Sequence, residues 1–139
     1  MKIFLLLILL TLSCDTNIFD SYEFEYEDVI INVTELRIFK GIVFSWLIAE
    51  GAIINIGNDT LFNDEDWLGD TWSIHGSFYS DSTFTEKFGN EKQRGDNLAP
   101  GDTAVWKLTH SNDEITLSDY PNFKVNNLKA LIKTHSDTN

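Results

Sequence analysis

The stretch Asn63-Asp64-Glu65-Asp66-Trp67-Leu68-Gly69-Asp70 is the most site-like in the chain. Carboxylates at alternate positions beside a glycine suit a hard cation, because calcium is held by a shell of carboxylate and carbonyl oxygens. The order departs from an EF-hand: Leu68 occupies a ligand position, and His75 falls where the bidentate glutamate belongs. Asn63, Asp64, Asp66, Trp67 and Asp70 are therefore candidates for a looser calcium or ligand loop, with a solvated acidic loop as the default. Trp67 and Trp72 flank this loop. An exposed indole stacks on the apolar face of a sugar while neighbouring amides and carboxylates take its hydroxyls. Trp46, Trp72 and Trp106 fit inward strand positions, which leaves Trp67 as the ring expected at the surface.

Nucleophile and metal chemistry find less support. His75, His110 and His135 are scattered, with no His-x-x-x-His or His-Glu pairing for a metal. Ser73 with His75, and His110 with Asp113, could each supply two members of a triad, but no Gly-x-Ser-x-Gly elbow accompanies them. No catalytic residue and no cofactor is assigned. Arg94-Gly95-Asp96 matches the tripeptide read by integrins and falls in a polar stretch, Gly89 to Asn97, read as a displayed loop or a chance turn. Asp59-Thr60-Leu61, Asp81-Ser82-Thr83 and Asp102-Thr103-Ala104 resemble the Asp-Ser/Thr-apolar sites of one bacterial O-glycosylation system, and all three lie at expected turns.

One cysteine among 139 residues excludes an intramolecular disulfide framework and a cysteine-rich zinc site. Its position is informative. Lys2 is followed by the apolar run from Ile3 to Leu12, then Ser13 and Cys14. As a helix that run is ~15 Å long, about half of a hydrocarbon core, and Asp15, Asn17 and Asp20 stop its extension. The pattern is a cleaved secretory leader rather than a membrane span. Ser13-Cys14 at its end resembles the lipobox of bacterial lipoproteins, with Thr11 and Leu12 departing from the usual leucine and small residues. The resemblance implies that the leader, residues 1–13, is cut before Cys14 and that its thiol carries a diacylglycerol. An ordinary signal peptidase is the alternative, since Thr11 and Ser13 also satisfy its preference for small residues.

Ten lysines and arginines face 22 aspartates and glutamates, for a net charge of −12. Such a balance argues against nucleic acid and anionic membrane surfaces as partners. Asp15, Asp20, Glu23, Glu25, Glu27 and Asp28 crowd the segment after the cysteine with no base among them. Like charges favour an extended chain, so residues 14–28 read as an acidic tether reaching roughly 45–50 Å at most. Tyr22-Glu23-Phe24-Glu25-Tyr26 also alternates as a first strand would.

From residue 29 to 139 the chain reads as strands separated by turns. Val29, Ile31 and Val33 alternate with polar neighbours. Gly41 to Ile56 is the most apolar part after the leader and reads as two buried strands or one kinked at Gly51, with a helix over 42–49 as the alternative. Gly57-Asn58-Asp59-Thr60 has hairpin-turn composition. Trp72, Ile74, Gly76 and Phe78 share one face of a strand; Ala99-Pro100-Gly101-Asp102 predicts a type II turn; and Ala104, Trp106 and Leu108 face inward. Phe123 to Lys133 reads as the last strand, bulged near Asn126-Asn127.

Short strands joined by Gly/Pro turns predict an all-β, two-sheet antiparallel sandwich. Phe78-Tyr79-Ser80-Asp81 and Leu98-Ala99-Pro100-Gly101-Asp102 resemble the aromatic-Tyr-x-Asp strand end and Leu-x-Pro-Gly-Asp/Glu turn of FxLYD-type immunoglobulin-like domains, with Ser80 inserted. That resemblance covers about residues 42–133 and implies an immunoglobulin-like fold of bacterial envelope proteins, with no catalytic residues to carry over. The expected function is a lipid-anchored envelope protein, at the outer membrane or cell surface, presenting a non-enzymatic module to a protein or glycan. The alternative is a small secreted hydrolase or metal-dependent enzyme using the 63–70 loop and His75.

Overall fold

The computed structural model describes residues 21–63, 70–113 and 116–135. Seven strands form two antiparallel sheets: β1 (Ser21–Tyr26), β2 (Val29–Lys40), β3 (Ser45–Asn55), β4 (Thr71–Tyr79), β5 (Lys87–Arg94), β6 (Thr103–Ser111) and β7 (Lys124–His135). One sheet has the order β1-β7-β4-β5 and the other β2-β3-β6. The sandwich expected from the alternating pattern is the fold observed. In immunoglobulin lettering, β2, β3 and β6 take the places A, B and E, and β5, β4 and β7 take C′, C and F. The place of G, beside F, is filled by β1 from the other end of the chain.

That strand corrects the domain boundary. Ser21 to Tyr26 pair residue for residue with His135 to Ala130, so the sandwich includes residues 21–26 as well as those from 29 onward. The stretch earlier read as tether contains a strand because Tyr26 faces the core while Glu23 and Glu25 face water. The rest of that segment, with Cys14 and residues 1–13 read as a leader, lies outside the described residues.

The core forms where the inward stripes of both sheets meet: Leu47, Ala49 and Ile53 from β3, Trp72, Ile74 and Phe78 from β4, Trp106 and Leu108 from β6, and Ala130 from β7. Leu61, Leu98, Leu117 and Phe123 close it from the connections. Burying each such large side chain contributes about 1.5–3 kcal/mol, the main force holding the layers together. Trp46 differs from expectation. It pairs in register with Phe39 on the outer face of β3, where the rings stand 5.1 Å apart.

The connections also sharpen the sequence reading. Gly41–Phe44 joins β2 to β3, closed by the Gly41 N–H donating to the Phe44 carbonyl at 2.8 Å. Ile42, Val43 and Phe44 stand exposed there, so the apolar run is one strand and a bare tip rather than two strands or a helix. Gly57–Thr60 is no hairpin; it starts the crossover from β3 to β4 in the other sheet. Buried Asn55 shapes that crossover, its Nδ2 donating to the carbonyls of Asp59 (2.8 Å) and Leu98 (3.0 Å) while Oδ1 accepts the Gly57 N–H (3.0 Å). The Ala99–Asp102 turn is as expected, with Gly101 at φ +83° and the Asp102 N–H donating to Ala99. The bulge in β7 is present too, with Asn127 at φ +54° where the ladder with β4 shifts register.

Candidate functional site

On one side of the sandwich, edge strand β5 faces edge strand β6 across the layers. Gln93 Oε1 accepts the Lys107 backbone N–H, and Glu91 Oε1 lies 2.8 Å from His110 Nδ1. His110 is buried between the rings of Phe78 and Phe88, with centroids 5.6 and 6.1 Å away. Asp113 is exposed and makes no bond with His110, so that suggested pair is not formed; the histidine acts as an inter-sheet bridge.

Ser73 and His75 both point outward from β4, and Ser73 Oγ lies 2.8 Å from His75 Nε2. Lys92 and Lys129 stand opposite His75 on the neighbouring strands. Burial pushes the imidazole below its usual range; Glu23 opposes this, and Lys92 and Lys129 reinforce it. His75 lines a shallow cleft of about 530 Å³ whose other walls include Glu25, Lys87, Asn90, Lys129 and Leu131. Asn63 and Asp70 line a different one, about 400 Å³, with Phe62 and Asn97. The described residues thus do not bring His75 and the acidic loop into one cleft.

Of the loop itself, Asp64, Asp66 and Trp67 lie outside the described residues. Asn63 is tied by its backbone, the N–H donating to Asn97 Oδ1 at 2.7 Å, and its own Oδ1 is buried without a partner among the described residues. Asp70 is exposed. No group of three or more His, Cys, Asp or Glu that could hold a metal occurs among the described residues.

The Arg94-Gly95-Asp96 segment is not a free loop, because Lys87–Arg94 is strand β5. Trp72 Nε1–H donates to the Asp96 carbonyl at 2.8 Å, and the Gly95 N–H donates to Trp72 at 3.2 Å. Gly95 lies flat over the indole: a Cβ there would stand 1.9 Å from Trp72 Cζ2. The tripeptide's glycine is therefore required for packing. Thr60, Ser82 and Thr103, the hydroxyls of the three Asp-Ser/Thr sites, lie at loops or a strand start, with Ser82 and Thr103 exposed.

A feature that single-residue inspection missed is the charge of the outer face of β1-β7-β4-β5. The chain has ten lysines and arginines, and six of them share this face: Lys87, Lys92 and Arg94 on β5, and Lys124, Lys129 and Lys133 on β7. The two columns flank a floor of Ser73, His75, Ser77 and Tyr79 from β4. On the other sheet, by contrast, Arg37 and Lys107 are matched by Glu50 at 2.7 and 3.5 Å, with Glu35 3.5 Å from Arg37. Among the described residues Lys87, Lys92, Lys124, Lys129 and Lys133 form no ion pair. The strongly negative total therefore conceals a basic face, and the total charge alone does not exclude an anionic partner. The signal was present as Lys87/Lys92/Arg94 and Lys124/Lys129/Lys133, each set spaced to share a strand face once bulges are allowed for. Compared with protein-family models, curated proteins and solved structures, the chain gives no significant match.

Proposed function

We propose that this is a lipid-anchored bacterial cell-envelope protein whose sandwich is a non-enzymatic binding module, held through Cys14 at the outer membrane or cell surface. The observation that carries this reading is the polarity of the domain. Glu23, Thr71 and Lys133 share one end of the β1-β7-β4-β5 sheet, next to Ser21. At the other end Phe78 stacks on His110 and Phe123, close to where β2 and β3 meet in the exposed Ile42-Val43-Phe44 tip. β1 and β2 run in the same direction, so the tip lies on the order of 50 Å from Ser21 at strand rise. A lipid at Cys14 would leave only residues 15–20 before the sandwich, a reach of about 20 Å. The domain would stand close to the bilayer with its apolar tip and both sheet faces turned to the surroundings.

Radiolabelled palmitate and cell fractionation test the anchor. The wild-type chain should incorporate label and sediment with membranes, and Cys14→Ser should do neither. A Cys14→Ser chain that remains in the membrane fraction overturns the proposal.

A further inference from the structure

We infer that the outer face of the β1-β7-β4-β5 sheet is a binding site for an anionic polysaccharide, with Lys92, Lys129 and Lys133 holding its acidic groups. The inference deepens the binding-module reading and rests on it, since it names the partner's chemistry. Lys92 and Lys129 stand on the strands either side of His75, two strand spacings or ~9.5 Å apart. Along β5, Lys92 and Arg94 are two residues apart, ~7 Å, on the same side. This lattice of cations over a floor of small polar groups forms a trough open along the strands. Asn90 and Asn126 share that floor by register and are exposed, offering amide groups to sugar hydroxyls, while the Ser73 and Ser77 hydroxyls are bonded to His75 and Asn90. Lys87, Lys92, Lys124, Lys129 and Lys133 form no ion pair among the described residues, and their mutual repulsion, offset only at Lys133 by Glu23 opposite it, is a cost that a polyanion relieves and that solvent partly screens.

Other polyanions fit less well. A peptide binding to a sheet recruits unpaired backbone groups at an edge, whereas β4 is paired on both sides. A nucleic acid on a sheet face stacks its bases on aromatic rings, and here Tyr79 stands alone at one end, packed edge-on against Phe84. A bilayer-binding surface couples its cations to an apolar segment that inserts, and here the exposed Ile42-Val43-Phe44 tip lies at another part of the molecule. Sugars need only the side-chain contacts that this face supplies.

The test uses the purified full-length chain in detergent, with heparin and polygalacturonate as anionic probes and dextran as the neutral one. Binding is measured by calorimetry at two salt concentrations. Both anionic probes should bind, more weakly at the higher salt, and dextran should not. Lys92→Gln/Lys129→Gln/Lys133→Gln should weaken binding about 100-fold, at roughly fivefold per surface cation. The control Lys40→Gln/Lys107→Gln, which removes two cations from the other sheet, should leave it within about twofold, and Lys92→Gln/Lys129→Gln, which removes the same charge from this face, should weaken it about 25-fold. Absence of binding, or equal loss in the two double variants, overturns the inference. So does binding confined to oligothymidylate or to phosphatidylglycerol vesicles. Membrane fractionation through Cys14 is read separately, so a failed glycan test leaves the anchor standing and a failed anchor leaves the glycan result interpretable.

Discussion

Glu91→Ala should destabilise the domain through His110, and only through it. The histidine side chain is 7% exposed and Glu91 31%, with Nδ1 and Oε1 2.8 Å apart. His110 Nε2 is buried without a partner among the described residues, so Nδ1 carries the ring's whole hydrogen bonding. Removing the acceptor leaves a second buried nitrogen unpaired, at about 2 kcal/mol for a bond to a charged group. In a domain of this size that lowers Tm by roughly 10 °C. His110→Phe should behave differently. A phenyl ring fits the slot between Phe78 and Phe88 and removes both buried nitrogens, while Glu91 keeps enough exposure to be hydrated. That variant should lie within about 1 kcal/mol of the wild type. In its background Glu91→Ala should cost less than about 0.5 kcal/mol, a coupling of about 1.5 kcal/mol. Urea unfolding followed by tryptophan fluorescence and circular dichroism gives all four stabilities, with unchanged m-values as the check that unfolding remains comparable. An equal cost of Glu91→Ala in both backgrounds would refute the bridge, because the glutamate would then be acting through something other than His110.

Asn55→Ala should cost about 3 kcal/mol in urea unfolding, because the buried amide links Gly57, Asp59 and Leu98 at the crossover; Asn55→Asp should also be destabilising, since a carboxylate cannot donate to the two carbonyls. Glu50, hydrogen-bonded to Arg37 and near Lys107, is held below its ordinary carboxylate value of 4.5. A group lowered on folding stabilises above its unfolded value and loses that effect as pH falls through its folded one, so the Arg37→Gln penalty should be present at neutral pH and vanish below the folded pKa of Glu50. Carbon-detected NMR titration of Glu50 should show its midpoint below 4.5 in the wild type and move it upward in Arg37→Gln.

Legibility followed distance along the chain. The inward face of Trp72, Ile74 and Phe78 and that of Trp106 and Leu108 are local period-two patterns, and both are buried as their alternation predicts. Pro100-Gly101 and Asn126-Asn127 announce a turn and a bulge because few residues accept the backbone angles needed there. Trp46 was harder. Ser45 apart, its neighbours are apolar, so the run from Ile42 to Ile48 carries too little alternation to say which side faces the core. Tyr22–Tyr26 was ambiguous for another reason: its glutamates suit a solvated tether and a solvated strand face equally. Pairing with β7, more than a hundred residues away, decides between them.

By itself, the sequence determined the strand character of the chain, its main turns, an acidic excess, and an apolar run that stops just before its lone cysteine. Those depend on short-range periodicity, backbone restrictions and composition. Only the tertiary structure decided that β1 fills the place beside β7, that His110 bridges the layers to Glu91, and that the cations of β5 and β7 converge. Lys92 and Lys129 are far apart in the chain and become neighbours only because β4 pairs with β5 on one side and β7 on the other. Net charge adds over all residues without regard to position, whereas an interacting field depends on separation, so the basic face exists only once the strands are ordered.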